Sequence, residues 1–194
     1  MLISCTNFHQ FIGLSPIHPI YPCISIVKMK RWFDAAQAGS FEVLKRVLEN
    51  KVEIEVKDDE DLTALMLSVS EGHTSCAKLL VDAKANLEAQ NAESSTALMI
   101  AAETGHVDCL DLLVHAKASL EAKNEEGCTA LMLAVREGAF ECVELLIAAN
   151  ADIEARNNDG STPLSFGAAI GHTDCTQLLI DANAALEEIG RAHV

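Results

Sequence analysis

The sequence predicts an all-α solenoid of about five stacked helix-turn-helix units with short β-hairpin or turn fingers, and three observations carry that reading. Glycines fall at Gly39, Gly72, Gly105, Gly138 and Gly171, each 33 residues after the one before, and a fixed step of that length marks a repeat array. A threonine column at Thr63, Thr96, Thr129 and Thr162 keeps the same step. Within one unit, Lys123 to Arg156, two apolar stripes stand at helical spacing: Leu131, Ala134 and Val135, then Cys142, Leu145, Leu146 and Ala149. A lone hairpin cannot bury both stripes, so neighbouring units must cover them.

Local chemistry justifies each piece of the unit in turn. The Thr129 hydroxyl suits an N-cap and opens a short helix. Gly138 closes it, because the residue just past a helix end takes positive φ at least cost when it has no Cβ. A longer second helix follows, then the loop Asn150-Ala151-Asp152-Ile153-Glu154-Ala155. The turn Asn157-Asn158-Asp159-Gly160 has the residue types of a tight reversal.

Read together, these columns resemble the ankyrin repeat, whose pattern runs turn, T-P-L-H, short helix, G-H, longer helix, L-L, loop. Here it stands as Thr129-Ala130-Leu131-Met132, Gly138-Ala139 and Leu145-Leu146, over roughly five-sixths of the chain. The resemblance implies fingers that project from each turn and a binding role along the concave side. Some positions depart from the family pattern. Its T-P-L-H histidine is replaced by Met66, Met99, Met132 and Ser165, which weakens the expected finger network, and its proline survives only as Pro163. The methionines read as gap-filling side chains rather than a thioether row for a metal. The asparagine that is hydroxylated in many family members falls on a glutamate column, Glu55, Glu88, Glu121, Glu154 and Glu187, so that modification does not carry over.

Along the chain, residues 1–28 read as a leader, disordered or foreign to the native protein. Residues 1–27 hold no Asp, Glu, Lys or Arg, and Pro16, Pro19 and Pro22 interrupt any signal peptide or spanning helix. The repeat domain is expected over 29–190, with a capping repeat at 30–57 in which Trp32 takes the column of Leu65. Repeats follow at 58–90, 91–123, 124–156 and 157–189, then a tail at 190–194. No polar capping repeat closes the array, which reads as a monomer or as a fragment of a longer one.

Composition narrows the function. All 29 Asp and Glu lie beyond Arg31, with 11 of the 14 Lys and Arg, so the repeats are strongly acidic and nucleic acid is excluded as a partner on charge. Six Phe, one Trp and one Tyr leave little for base stacking or an aromatic cage. Cys76, Cys109, Cys142 and Cys175 form one column and read as core thiols. Stacked repeats place such positions on the order of 10 Å apart. That exceeds the roughly 7 Å Cα limit for a disulfide, so an intracellular location, cytoplasmic or nuclear, is expected and membrane association is not. The spacing His-x-x-Cys at His73/Cys76, His106/Cys109 and His172/Cys175 reads as packing, since each pair sits in a different repeat. Cys128, on a turn beside Thr129, is expected to be an exposed, inert thiol. No nucleophile beside a base and no Gly-rich phosphate loop is present, so no enzyme, cofactor or metal is expected.

The resemblance therefore implies a protein or peptide partner. By column the finger tips are Asp59 and Glu60, Ala92 and Glu93, Glu125 and Glu126, and Asn158 and Asp159. Glu71, Glu103, Arg136 and Glu137 end the first helices on the same side, and Ile170 is the apolar anchor. Acids dominate this set, which points to an acidic concave face and a partner with a basic surface. The plainer reading is a solvated surface. The alternative reading is the repeat section of a larger protein, such as a kinase or a channel.

Overall fold

The structure, a computed structural model, describes the backbone of residues 22–50 and 53–192 and the side chains of 30–50 and 53–183. The helices are α1 (Pro22–Gln37), α2 (Phe41–Glu49), α3 (Ala64–Ser70), α4 (Thr74–Asp82), α5 (Ala97–Thr104), α6 (Val107–His115), α7 (Ala130–Glu137), α8 (Phe140–Ala148), α9 (Pro163–Ile170) and α10 (Thr173–Ala192). They pair as consecutive hairpins. The odd-numbered helices pack on one another as an inner layer, the even-numbered ones as an outer layer. Most of the leader, 1–21, lies outside the described residues; α1 begins within it at Pro22, a residue tolerated in the first turn of a helix because the missing N–H has no partner there anyway.

Inner helices start where the threonine column places them. The Thr63 hydroxyl accepts the Met66 N–H at 3.3 Å, and that of Thr162 accepts the Ser165 N–H at the same distance. Thr96 and Thr129 hold the same N-cap position, but their buried hydroxyls make no cap hydrogen bond, so the bond expected of Thr129 does not form. Outer helices end on a different device: Lys84, Lys117 and Asn150 take φ of 69°, 70° and 66°. The next N–H, of Ala85, Ala118 or Ala151, then reaches back at 3.0 Å to Leu80, Leu113 or Leu146, the 6→1 bond of a Schellman end. The fifth unit departs from this. α10 runs past Asn183, the counterpart of Asn150, to Ala192, because Ala184-Ala185-Leu186-Glu187-Glu188 are strong helix formers where the second, third and fourth units carry Asn86, Ser119 and Asp152 in place of Ala185.

The core is continuous from unit to unit. Trp32, Leu65, Leu98 and Leu131 occupy one column and are fully buried, as are Met66, Met99 and Met132 beside them. The cysteine column is buried with free thiols. Fingers are turns, with one isolated bridge between Lys57 and Thr63 among the described residues. Each is held by its own first residue. Asn91 Oδ1 accepts the Glu93 and Ser95 N–H groups at 3.0 and 2.8 Å, and Asp58, Asn124 and Asn157 repeat the pattern. A side-chain acceptor that bonds its own turn supplies what the missing histidine does not.

The glutamate column also has a role in the stack. Glu55, Glu88 and Glu121 each extend a carboxylate to the next unit and accept one loop N–H, that of Asn86, Ser119 or Asp152, at 2.8, 2.8 and 2.9 Å. These donors sit in exposed loops, so each bond contributes only about 1 kcal/mol, but it recurs at successive junctions.

Ala97 and Ala130 are the first residues of α5 and α7, the position that Pro163 fills in α9. Thr96 and Thr129 before them are extended, as proline requires of its predecessor. Ala97→Pro and Ala130→Pro are each predicted to add about 0.4–1 kcal/mol in thermal or urea melts, by restricting the unfolded chain. A lower midpoint in both variants would contradict these helix starts.

Candidate protein-interaction surface

Adjacent fingers are tied together, and at Arg136 the end of an inner helix meets a finger. Glu125 N–H donates to the Glu93 carbonyl at 3.1 Å. Asn158 N–H donates to the Glu126 carbonyl at 3.0 Å, and its amide Nδ2 to the Glu125 carbonyl at 2.8 Å. Asn158 is thereby a finger-to-finger strut as well as an exposed tip. Lys57 and Lys123 add further ties, donating to the carbonyls of Gln90 and Arg156 at 2.6 and 2.8 Å.

Four of the residues singled out from the sequence converge. Arg136, at 27% side-chain exposure, contacts Glu103 at 2.8 Å, Glu126 at 3.1 Å and Glu137 at 3.2 Å. Burial works against its charge, yet the hydrogen bond to Glu137 and the charges of Glu103, Glu126 and Glu137 outweigh it and hold the guanidinium above the ordinary arginine pKa. One guanidinium thus links α5, α7 and the third finger, and the cluster keeps a net negative charge. Asp59, Glu60, Glu71, Glu93, Glu125 and Asp159 are exposed and have no ion-pair partner among the described residues. Ala92 is exposed beside Glu93, and Ile170 stands 50% exposed at the end of α9.

One expectation is overturned. Cys128 is not exposed: it is 1% accessible, with its Sγ 3.8 Å from Glu126 Oε2 and its N–H bonded to Asn124 Oδ1 at 2.9 Å. The residue shares a column with Ser95, which is buried in the same way at the base of a finger; that Ser95 and Ser161 are polar concealed this in the sequence. Burial first, then the Glu126 carboxylate, pushes its thiol pKa up. The core column behaves alike, and burial together with the Glu141 charge raises Cys142 to about 11. His73, His106 and His172 turn their rings onto main-chain carbonyls, as packing residues do. No group of three or more metal-capable side chains converges among the described residues. No described helix is long and apolar enough to cross a membrane.

A raised thiol pKa keeps the reactive thiolate scarce until the pH passes the folded value. Iodoacetamide at pH 8 should therefore alkylate Cys76, Cys109, Cys128, Cys142 and Cys175 at least about tenfold more slowly in the native protein than in urea. Mass spectrometry of tryptic peptides reads each site. Rapid native labelling of Cys128 would restore it to the surface.

A stack of helical hairpins with one row of linked fingers is a repeat solenoid, a class that works through an extended surface. A sequence model of ankyrin repeats matches residues 32–124 and 117–189, and the chain belongs to the ankyrin repeat family. Ankyrin repeats are generally protein–protein interaction modules and typically non-enzymatic scaffolds. Comparison with curated proteins finds no match.

Proposed function

We propose that this chain is a binding scaffold that takes a protein or peptide with a basic segment on the acidic concave face formed by its fingers and inner helices. The observation that carries the proposal is the finger row. Main-chain bonds from Glu125 to Glu93 and from Asn158 to Glu126 hold the second, third and fourth fingers in register, so the backbones that carry their unpaired carboxylates stay close and the fields of those acids add along the row. Arg136 offsets only one tip acid, Glu126. Exposed pairs contribute about 0–1 kcal/mol each, so affinity comes from several of them plus an apolar contact, for which Ile170 is placed at one end. Buried, unpaired thiols suit a reducing compartment, and the protein is assigned to the cell interior, cytoplasm or nucleus.

The test compares position with net charge. Glu93→Gln, Glu125→Gln and Asp159→Asn together remove the same formal charge as Asp108→Asn, Glu141→Gln and Asp174→Asn on the outer helices. With a fluorescent peptide of mixed lysine and leucine as the probe, the finger triple should raise Kd at least about tenfold, the outer triple about twofold. The wild-type affinity should fall as salt shortens the Debye length. Equal losses from both triples, or an affinity indifferent to salt, would return the finger acids to a solvated surface.

A further inference from the structure

Four inner-to-outer turns of the stack are followed by another unit, and three of them are closed in one way. The ring of His73 lies over Gly39, that of His106 over Gly72 and that of His172 over Gly138. Each Nε2 meets the carbonyl two residues before the glycine: Gln37 at 2.9 Å, Ser70 at 3.0 Å and Arg136 at 3.2 Å. A carbonyl only accepts, so the ring donates from Nε2. A Cβ added at these glycines would fall 2.6, 2.9 and 2.7 Å from a ring atom, so the imidazole fills the space over the turn.

At the remaining turn, that of Gly105, the same space is open. Ala139 stands in the histidine column, and a Cβ at Gly105 would meet only the Ala139 methyl, at 3.8 Å. Gly105 is exposed where Gly39, Gly72 and Gly138 are half-buried. The carbonyl of Glu103, counterpart of Gln37, Ser70 and Arg136, receives no hydrogen bond among the described residues. Its carboxylate is engaged separately by Arg136 at 2.8 Å. What remains is an open slot where the other three turns hold a ring, with Gly105 as floor, the Ala139 methyl beside it and a main-chain acceptor at its end. Gly171 is open too, with nothing within 4 Å, but no described unit follows to wall it.

We propose that the slot over Gly105 is a binding site for an imidazole N–H donor, presented as a histidine side chain of a bound protein, with the Glu103 carbonyl as acceptor. The other three turns show that this geometry accepts a flat ring against the glycine and its N–H on the carbonyl. The assignment of the donor to a partner chain rests on the protein-binding reading above; the slot itself does not.

Imidazole alone is the first probe, titrated into the ¹⁵N-labelled full chain at a pH where the ring is neutral. Millimolar affinity is expected for a ligand this small. The Thr104 amide shares its peptide unit with the Glu103 carbonyl, so saturable shifts should centre on Thr104, Gly105 and Ala139, and spare Gly72 and Gly171. In Ala139→His, whose own ring fills the slot, they should vanish. Non-saturating shifts, shifts of equal size at Gly72 or Gly171, or shifts that persist in Ala139→His would overturn the site. The wild-type comparison of Gly105 with Gly72 and Gly171 decides the matter even if Ala139→His fails to fold. Lysine-rich peptides with and without one histidine then test the partner: the histidine peptide should bind several-fold more tightly to the wild type and no better to Ala139→His. Equal binding of the two peptides to a protein that saturates with imidazole would overturn the partner assignment and leave the slot.

Discussion

Everything in this structure depends on one constraint: a two-helix hairpin of this size cannot satisfy itself. Leu65, Leu98 and Leu131 face neighbours on both sides of their own unit, and their burial is complete only because the next inner helix is there. Polar groups follow the same rule. The loop N–H groups of Asn86, Ser119 and Asp152 find acceptors on the preceding unit, and the carbonyls of Gln37, Ser70 and Arg136 find donors on the following one. Stability is thus spread along the stack as interface free energy.

The surface that the stack presents is a by-product of the same ties. Main-chain bonds tie the second finger to the third and the third to the fourth, which keeps the backbones that carry their acids close together along the stack. Arg136 breaks the row at one point by gathering Glu103, Glu126 and Glu137. Near the same junction the chain has Ala139 where the other three junctions have His73, His106 and His172, so the third and fourth units are joined by an ion cluster where the others are joined by an imidazole.

The fold was legible because the features that define it recur. A glycine, a threonine and a leucine at a constant step each report the same backbone or packing need several times over, and α3 to α9 begin where those columns place them. Single events were harder to read. Cys128 looked exposed because its column mixes Leu62, Ser95 and Ser161, and burial at a finger base has no sequence period of its own. The glutamate column was visible as a repeat, but its purpose was not, since a carboxylate reaching 31 residues forward to a loop N–H needs the stacking geometry first. The Arg136 cluster was hidden likewise: Glu103 lies 33 residues away and meets the guanidinium through the rise of one unit on the next, while Glu126, ten residues away, reaches it from the finger of the same unit. The extended α10 could have been read from its run of helix formers, had the repeat not argued for a loop there.

Amide hydrogen exchange of the native protein tests the central claim, that exposed loops are held by the neighbouring unit. Asn86, Ser119 and Asp152 donate to a preceding glutamate, while the next residues, Leu87, Leu120 and Ile153, have no hydrogen-bond acceptor among the described residues. The account predicts exchange at least about tenfold slower for the first three than for the second three, after correction for intrinsic rates. Equal exchange within each pair would contradict it, and would mean that the units stack through their apolar faces alone.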